Sequence, residues 1–317
     1  MSVLVGLDIG GTKCAVSVGQ EQPGGLTVLR REAIATPGKQ RQALATLCDL
    51  AAELAQGQTV AGIGISAGGP LDAERGMLLS PPNLPGWRDV SLTELASEAL
   101  GAPCTLENDA NACALAEWRW GAGRGSAVMA FLTFGTGLGA GIVVDGRILR
   151  GATGDAGELG HWRINGFGPS GYGKAGSFEG FCSGGGLRQL AYTVGERYRQ
   201  QGRVPAFAQA GQYDAKTVAE AARGGDPAAR EAFALCGDAL GRGLALLIDF
   251  LNPDRVVLGS IYTRCRDLLE APMRAVLAEE CLPRTLAACH IEPAALGEQI
   301  GDYAALALAQ RAAQGRR

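Results

Sequence analysis

The sequence predicts an α/β protein built from a duplicated unit. β-prone apolar runs alternate with segments whose apolar residues recur at helical spacing. A strand, glycine turn, strand pattern occurs twice, placing Asp8 and Thr133 at matching positions 125 residues apart. The chain has 317 residues, 47% of them hydrophobic and 19% charged, which allows two domains with sizeable cores. No linker composition separates the halves, so the expected boundary is a hinge between packed units.

The first strand is expected over residues 3–7, a turn over 8–12 and a return strand over 14–18. A third strand fits residues 26–34. Leu44, Leu47, Leu50, Ala51 and Leu54 recur at helical spacing, so 39–56 reads as a helix. Residues 59–65 form a buried strand running into Ser66-Ala67-Gly68-Gly69-Pro70. Ser91-Leu92-Thr93-Glu94 is a capping box for a helix ending at Leu100. Residues 104–107 are a strand, and Asn108-Asp109 opens a helix ending near Trp120. The first pattern then recurs: strand over 127–134, turn over 135–139, strand over 140–144, with Asp145-Gly146 as a hairpin signal. Asp226-Pro227 is an N-cap and N1 pair for a helix to Leu251. Residues 255–258 are a buried strand, and 299–313 a final Ala-rich helix. The expected domains are 1–110, with the helix of 299–317 packing back on it, and 111–298.

The formal net charge of −3 gives no basic excess for nucleic acid or an anionic membrane as main partner. Nine cysteines fall singly within apolar stretches, and no C-x-x-C occurs. With no charged-then-apolar profile after Met1, the expectation is a reduced, cytoplasmic chain. The longest apolar stretch, 244–251, is interrupted by Asp249 and is too short to span a bilayer. Glycine is the compositional outlier, at 48 residues. Folded glycine-rich chains need turns with positive φ or close approach of backbone to a ligand.

A glycine turn lets consecutive N–H groups point at one anion, and two such turns can clasp a polyphosphate. The simpler use of each turn is a tight hairpin. Asp8 suits a hydrated Mg²⁺. Thr12 and Thr136 add hydroxyls and Lys13 a cation. Residues 135–140 match the G-x-G-x-x-G/A dinucleotide fingerprint, but that motif must open a helix, and here a strand follows. Residues 6–13 resemble a P-loop superficially, yet read Gly-Gly-Thr-Lys and also precede a strand.

Six segments together resemble the ROK family of sugar kinases and related regulators. They are residues 7–13, 64–72 with 82–87, 107–112, 133–141, 157–161, and 251–254 with 256–259. They occur in family order and cover essentially the whole chain. The resemblance implies the actin/hexokinase-like ATPase fold, two α/β domains with an interdomain cleft, and ATP with Mg²⁺ and a sugar as ligands. A homodimer is what relatives suggest. The family's repressors carry an added helix-turn-helix before the first phosphate motif. Only seven residues precede Asp8, so the kinase branch is expected.

By resemblance, Asp109 accepts the proton of a sugar 6-hydroxyl attacking the γ-phosphate. The helix N-terminus is expected to favour its ionised form. The alternative for Asn108-Asp109 is a plain helix cap. Gly69, Asn83, Asn108, Glu158, His161 and Glu179 match sugar-contacting positions. Carboxylates, amides and imidazole suit a polyol, since each hydroxyl both donates and accepts. Asp8, Gly10, Gly11, Thr12, Lys13, Gly135, Thr136, Gly137, Gly259 and Ser260 match the nucleotide side. The family usually has a second glycine where Ser260 stands.

Most of the family binds a structural Zn²⁺ through three cysteines and the histidine of G-E-L-G-H. Gly171, Gly173 and Ser177 stand at the cysteine positions. One imidazole cannot make a tetrahedral site, so no structural zinc is expected. Something else must then orient His161. Phe167, Tyr172, Phe178 and Phe181 are expected to form an apolar cluster in the metal's place. Two other functions stay open: a non-catalytic sugar sensor, and another phosphotransferase or ATPase of the superfamily.

Overall fold

The computed structural model describes residues 2–81 and 83–315; Met1, Pro82 of the 82–87 motif, and Arg316 and Arg317 of the expected last helix lie outside them. In chain order come strands β1 (Ser2–Ile9), β2 (Lys13–Gln22) and β3 (Gly25–Ala35), helix α1 (Gln40–Ala55) and strand β4 (Thr59–Ala67). Next are strands β5 (Leu71–Asp72), β6 (Met77–Leu79) and β7 (Arg88–Ser91), helix α2 (Leu92–Leu100), strand β8 (Cys104–Asn108) and helix α3 (Asp109–Trp120). Strands β9 (Val128–Leu132), β10 (Ala140–Val144), β11 (Arg147–Ile148), β12 (Ser170–Gly171) and β13 (Lys174–Ala175) follow. Then come helices α4 (Phe178–Phe181), α5 (Gly184–Gln200), α6 (Ala206–Gln209), α7 (Ala215–Arg223) and α8 (Pro227–Leu251). The chain closes with strand β14 (Arg255–Leu258), helices α9 (Ile261–Glu280) and α10 (Pro283–Ala288), strand β15 (His290–Pro293) and helix α11 (Ile300–Ala313). The described residues divide into two compact units. One is drawn from Met1–Gly125, Gly141–Ala156 and Ala295–Arg317, the other from Ser126–Ala140 and Gly157–Ala294.

The first unit is a five-stranded sheet ordered β3-β2-β1-β4-β8. β2 pairs antiparallel with β1 and with β3, while β1, β4 and β8 run parallel. Alternation along β1 decides what each face holds. Val3, Val5, Leu7 and Ile9 pack with Leu44 and Leu47 of α1 and Leu92 and Ala96 of α2. Leu4 takes the other face, with Leu306 and Ala309 of α11. By the same parity Asp8 belongs to the α11 face.

Helix α11 lies close on this sheet because the strands beneath it lack side chains. A Cβ at Gly64 would fall 2.0 Å from the Ala305 carbonyl oxygen, and one at Gly62 2.3 Å from that of Ala309. The helix answers with alanines, and Ala304, Ala305, Ala307 and Ala309 are all buried. The expected strand over 59–65 already contains Gly62 and Gly64, but nothing in the sequence assigns these two glycines a role.

In the second unit, β9, β14 and β15 run parallel, with Ala130↔Val256 and Val256↔Ile291 in register. This repeats the relation of β1, β4 and β8. In the 141–156 segment of the first unit, the hairpin β10–β11 turns at Asp145 and Gly146, both with positive φ, as a two-residue loop requires. Asp226 caps α8 by accepting from the N–H groups of Ala228 (2.9 Å) and Ala229 (3.0 Å), with Pro227 next to it. Strand β9 ends earlier than expected because Thr133 turns its hydroxyl into the following loop and Phe134 adopts φ 36°. All nine cysteines are free thiols. Among the described residues no helix is long and apolar enough to cross a membrane.

Candidate active site

The first unit gathers one part of the expected set at the carboxyl ends of its parallel strands. The β1–β2 turn closes with the Gly10 N–H donating to the Lys13 carbonyl at 3.2 Å. Its underside is tied down by Thr36, whose hydroxyl donates to the Gly10 carbonyl at 2.6 Å. Gly11, Thr12 and Lys13 remain exposed. A Cβ at Gly11 would lie 2.6 Å from the Asn83 carbonyl oxygen, so Asn83 sits on this turn. Gly69 in turn approaches Asn108, whose Nδ2 lies 3.6 Å from where its Cβ would be.

Asn108 and Asp109 divide the work at the start of α3. Asn108 is the N-cap: its Oδ1 accepts from the N–H groups of Ala110 (2.9 Å) and Asn111 (3.4 Å). Asp109 is the first helical residue and is exposed. It accepts the Ala110 N–H at 2.8 Å. Surrounding protein desolvates the Asp109 carboxyl and raises its pKa, outweighing that backbone hydrogen bond. The expected help of the helix terminus to the ionised form is thus outweighed by desolvation.

Asp8 is half-buried and its pKa is pushed up to about 6. Desolvation is the largest cause, followed by the charges of Asp109 and Asp302; Arg31 and Lys13 oppose them. Asp302, in the first turn of α11, is itself buried, accepting from Ser17 Oγ at 2.5 Å and from Arg31 Nε at 2.9 Å. Gly301 lets this helix start against Asp8, whose Oδ2 lies 3.0 Å from where a Cβ would be. The excess of carboxylates is an environment that a cation would relieve, so Asp8 fits a position beside Mg²⁺.

Two supporting residues escaped the sequence reading. Glu107 is buried, and its Oε1 accepts the Asn108 N–H (3.0 Å) and Asn111 Nδ2 (3.2 Å). Its Oε2 takes Arg150 through Nη2 at 2.7 Å and Nε at 2.9 Å. A carboxylate ending an apolar strand was the signal for Glu107. Nothing local marks Arg150.

The second unit gathers the rest. Its glycine turn closes where the Thr133 N–H donates to the Gly139 carbonyl (2.9 Å), and the Gly139 N–H to Thr133 Oγ1 (3.0 Å). Strand β10 follows, as the reading against a dinucleotide fingerprint requires. Thr136 is exposed at the tip. Gly135 faces Ser260, with Oγ 3.6 Å from its would-be Cβ, and the Ile261 N–H donates to the Phe134 carbonyl at 2.9 Å. The turn thereby meets Gly259 and Ser260 at the start of α9. Ser260 adopts φ 49°, ψ −106°, a conformation suited to glycine. On the other flank Glu179 Oε2 accepts the Leu138 N–H at 3.0 Å and lies 2.7 Å from where a Cβ at Gly137 would be. Gly160 packs on Leu138, which brings the 157–161 segment to the same place. Glu158 and His161 are exposed there, with Oε2 and Nε2 3.7 Å apart.

The loop that bears zinc ligands in most relatives is built differently. Ser177 Oγ accepts from the N–H groups of Gly180 (3.0 Å) and Gly171 (3.3 Å) and donates to the Gly171 carbonyl (3.4 Å). A Cβ at Gly171 would lie 2.7 Å from the Gly180 nitrogen. The nearest remaining thiol, Cys182, is buried and donates to the Cys236 carbonyl at 3.6 Å. These groups do not fit a zinc ion. The expected aromatic cluster is only half present: Phe178 and Phe181 are buried, but Phe167 and Tyr172 are 79% and 71% exposed. The hairpin turn projects Tyr172 outward, and Phe167 lies in the preceding exposed loop.

The repeated three-stranded parallel cores with their glycine turns are those of the actin/hexokinase-like ATPase fold. The chain belongs to the ROK family, which matches residues 4–312. It is 31% identical over 306 residues, 96% of each chain, to a glucokinase of Thermotoga maritima. It is similar to the structure of a ROK family glucokinase from Streptomyces griseus in complex with glucose and AMPPNP. That match has a TM-score of 0.76 and 32% identity over 98% of this chain and 99% of the other. It is also similar to a ROK family transcriptional regulator, a homologue of the E. coli MLC protein, with a TM-score of 0.84 and 26% identity. That match covers 98% of this chain and 78% of the other.

Proposed function

We propose that this protein is an ATP-dependent sugar kinase that phosphorylates the 6-hydroxyl of a hexose or N-acetylhexosamine. The observation that carries the reading is the division of labour at α3. Asn108 satisfies the helix terminus, which leaves the Asp109 carboxyl exposed, with a raised pKa, beside the sugar-contacting candidates Gly69 and Asn108. A base whose affinity for protons is raised takes the hydroxyl proton more readily as the oxygen attacks. The kinship with glucokinases supports the same reading.

In this proposal Asn83, Glu158, His161 and Glu179 complete the sugar set. The glycine turns at 10–12 and 135–137, with Lys13, Gly259 and Ser260, serve ATP. Mg²⁺, entering with ATP beside Asp8, supplies charge neutralisation on the phosphates. Glu179 belongs to both sets, because the carboxylate that would accept a sugar hydroxyl also holds the Leu138 N–H of the phosphate turn. The two compact units act as the two domains of the kinase, and a cytoplasmic homodimer is part of the same proposal; light scattering of the purified protein tests the dimer.

ADP release from Mg-ATP across a panel of hexoses and N-acetylhexosamines tests the function, with Asp109→Asn alongside. Turnover with one or two sugars that vanishes in the variant is the expected result. The second reading, a sugar-binding regulator, is favoured by the likeness to the ROK regulator. Sugar binding by calorimetry without any turnover would establish it instead.

A further inference from the structure

Among the described residues, no buried side chain is seen to hold the His161 ring. Its side chain is 45% exposed, and Glu158, the carboxylate nearest it, is 62% exposed. What does meet the ring is Tyr172, edge-on, with centroids 5.2 Å apart and planes at 73°.

Tyr172 is brought there by a two-residue hairpin. Gly171 pairs with Lys174 across the β12–β13 ladder, and the loop residues Tyr172 and Gly173 have φ of 51° and 74°. Such loops need positive φ at both central positions and favour Asn, Asp or Gly at the first. A tyrosine there is held in a conformation that bulky L-residues seldom adopt. Its ring is mostly in water, so burial does not explain it. Backbone strain at an exposed aromatic is the kind of outlier that points to function.

The hairpin is fastened to the histidine segment at several points. Lys174 Nζ donates to the His161 carbonyl at 2.5 Å, and Arg163 Nη1 to the Ala175 carbonyl at 2.8 Å. The Phe178 N–H donates to the Trp162 carbonyl at 2.8 Å. Ser177 closes the base of the loop with the hydrogen bonds to Gly171 and Gly180 described above. The position of Tyr172 relative to His161 is therefore set by backbone and side-chain hydrogen bonds between the two segments.

We propose that Tyr172 is a positioning residue: its ring edge sets the orientation of the His161 imidazole toward the sugar, the task a metal ion performs elsewhere in the family. The proposal rests on the kinase reading. A substitution that relieves the turn while deleting the ring separates this role from a merely structural one. Tyr172→Gly is expected to melt at a higher temperature than the wild type, because glycine suits positive φ. It is also expected to raise the sugar KM about fivefold, leaving kcat and the ATP KM within about twofold. Tyr172→Phe keeps the ring and is expected to match the wild type in both.

The second measurement does not depend on turnover. The chain has two histidines, His161 and His290, so imidazole NMR signals are assigned with one His161→Gln variant. In Tyr172→Gly the His161 signals are expected to shift and those of His290 to stay. Unmoved His161 signals overturn the proposal, and so does an unchanged sugar KM in an active enzyme. Wild-type protein that binds a sugar without turning it over overturns the kinase reading alone, and calorimetric sugar affinity then replaces KM. A wild type that binds no sugar overturns both.

Discussion

Arg150 grips the buried carboxylate of Glu107 through two nitrogens, at 2.7 and 2.9 Å, and Glu107 in turn holds the backbone N–H of Asn108. The residue that caps the α3 helix, and the Asp109 beside it, are thus braced from behind by an arginine that lies 43 positions after Glu107. Removing the arginine would leave a buried carboxylate short of its charge partner. Arg150→Met is expected to lose roughly 2–3 kcal/mol of stability, less than for a fully buried pair because Arg150 is partly exposed. The same variant is expected to lower kcat more than it raises either KM. Urea unfolding and steady-state kinetics check the two effects, and wild-type stability in the variant would refute the brace.

Asp8 sets stability against function. Its folded-state pKa of about 6 lies above the ordinary carboxylate range, so the native state holds the proton more tightly than the unfolded chain. Stability therefore falls as pH rises from the ordinary range through about 6, and the loss is complete above it. Asp8→Asn removes that loss. It is expected to gain on the order of 2 kcal/mol at pH 8 without ligands, allowing for partial exposure, and to lose kinase activity. Equal melting temperatures for the two proteins at pH 8 would contradict the assignment.

A raised pKa at the proposed base has a kinetic signature. On the proposed mechanism catalysis needs ionised Asp109, so kcat/KM for sugar is expected to rise with pH until that carboxyl has lost its proton. Because desolvation by the surrounding protein raises its pKa, the acid limb is expected above the ordinary carboxylate range. Asp8 titrates nearby, so the limb belongs to the pair. A pH profile at saturating Mg-ATP with a limb near the unperturbed carboxylate value would count against Asp109 as base.

Ser260 has φ 49° and ψ −106°, a backbone conformation suited to glycine. Ser260→Gly is expected to stabilise the protein by about 1 kcal/mol by relieving the backbone. The lost contact from Arg264 Nη2 to Ser260 Oγ is exposed and contributes little. Thermal melting checks the gain, and a lower melting temperature would show that the hydroxyl matters more than the strain.

The loop at 170–177 is expected to be indifferent to metal removal. Protein purified without added metal should carry no stoichiometric zinc by mass spectrometry, and a strong chelator should leave its melting temperature unchanged. A drop in melting temperature on chelation would contradict the hydrogen-bonded closure by Ser177.

Much of this layout was legible in the sequence because its signals are local. Both glycine turns, the α2 and α8 caps, and the Asp145-Gly146 hairpin each depend on residues within a few positions. Gly69, Asn83 and Asn108 were read from motif resemblance, and the structure brings them together in one unit with Asp8 and Asp109. What escaped depends on distant partners. Arg150 is an ordinary surface arginine until Glu107 folds beneath it. The pKa of Asp109 depends on how much protein surrounds it, which no helix-start rule contains. Gly62 and Gly64 carry no signal of their own until an alanine helix from the far end of the chain fills the space above them. Tyr172 was read as core because it is aromatic, whereas its turn position sends it outward.

That alanine helix has a consequence for how the protein is made. The sheet of the first unit is complete once residue 108 has left the ribosome, yet the helix that covers one of its faces ends at Ala313. At roughly 5–20 residues per second, that face waits about 10–40 s for its cover. During this interval a nascent chain presents an apolar sheet surface notched by glycines, shaped to receive a small-residue helix from any source. Truncation before α11 would leave the same surface permanently open, so premature termination late in the gene should yield aggregating protein rather than a smaller working one.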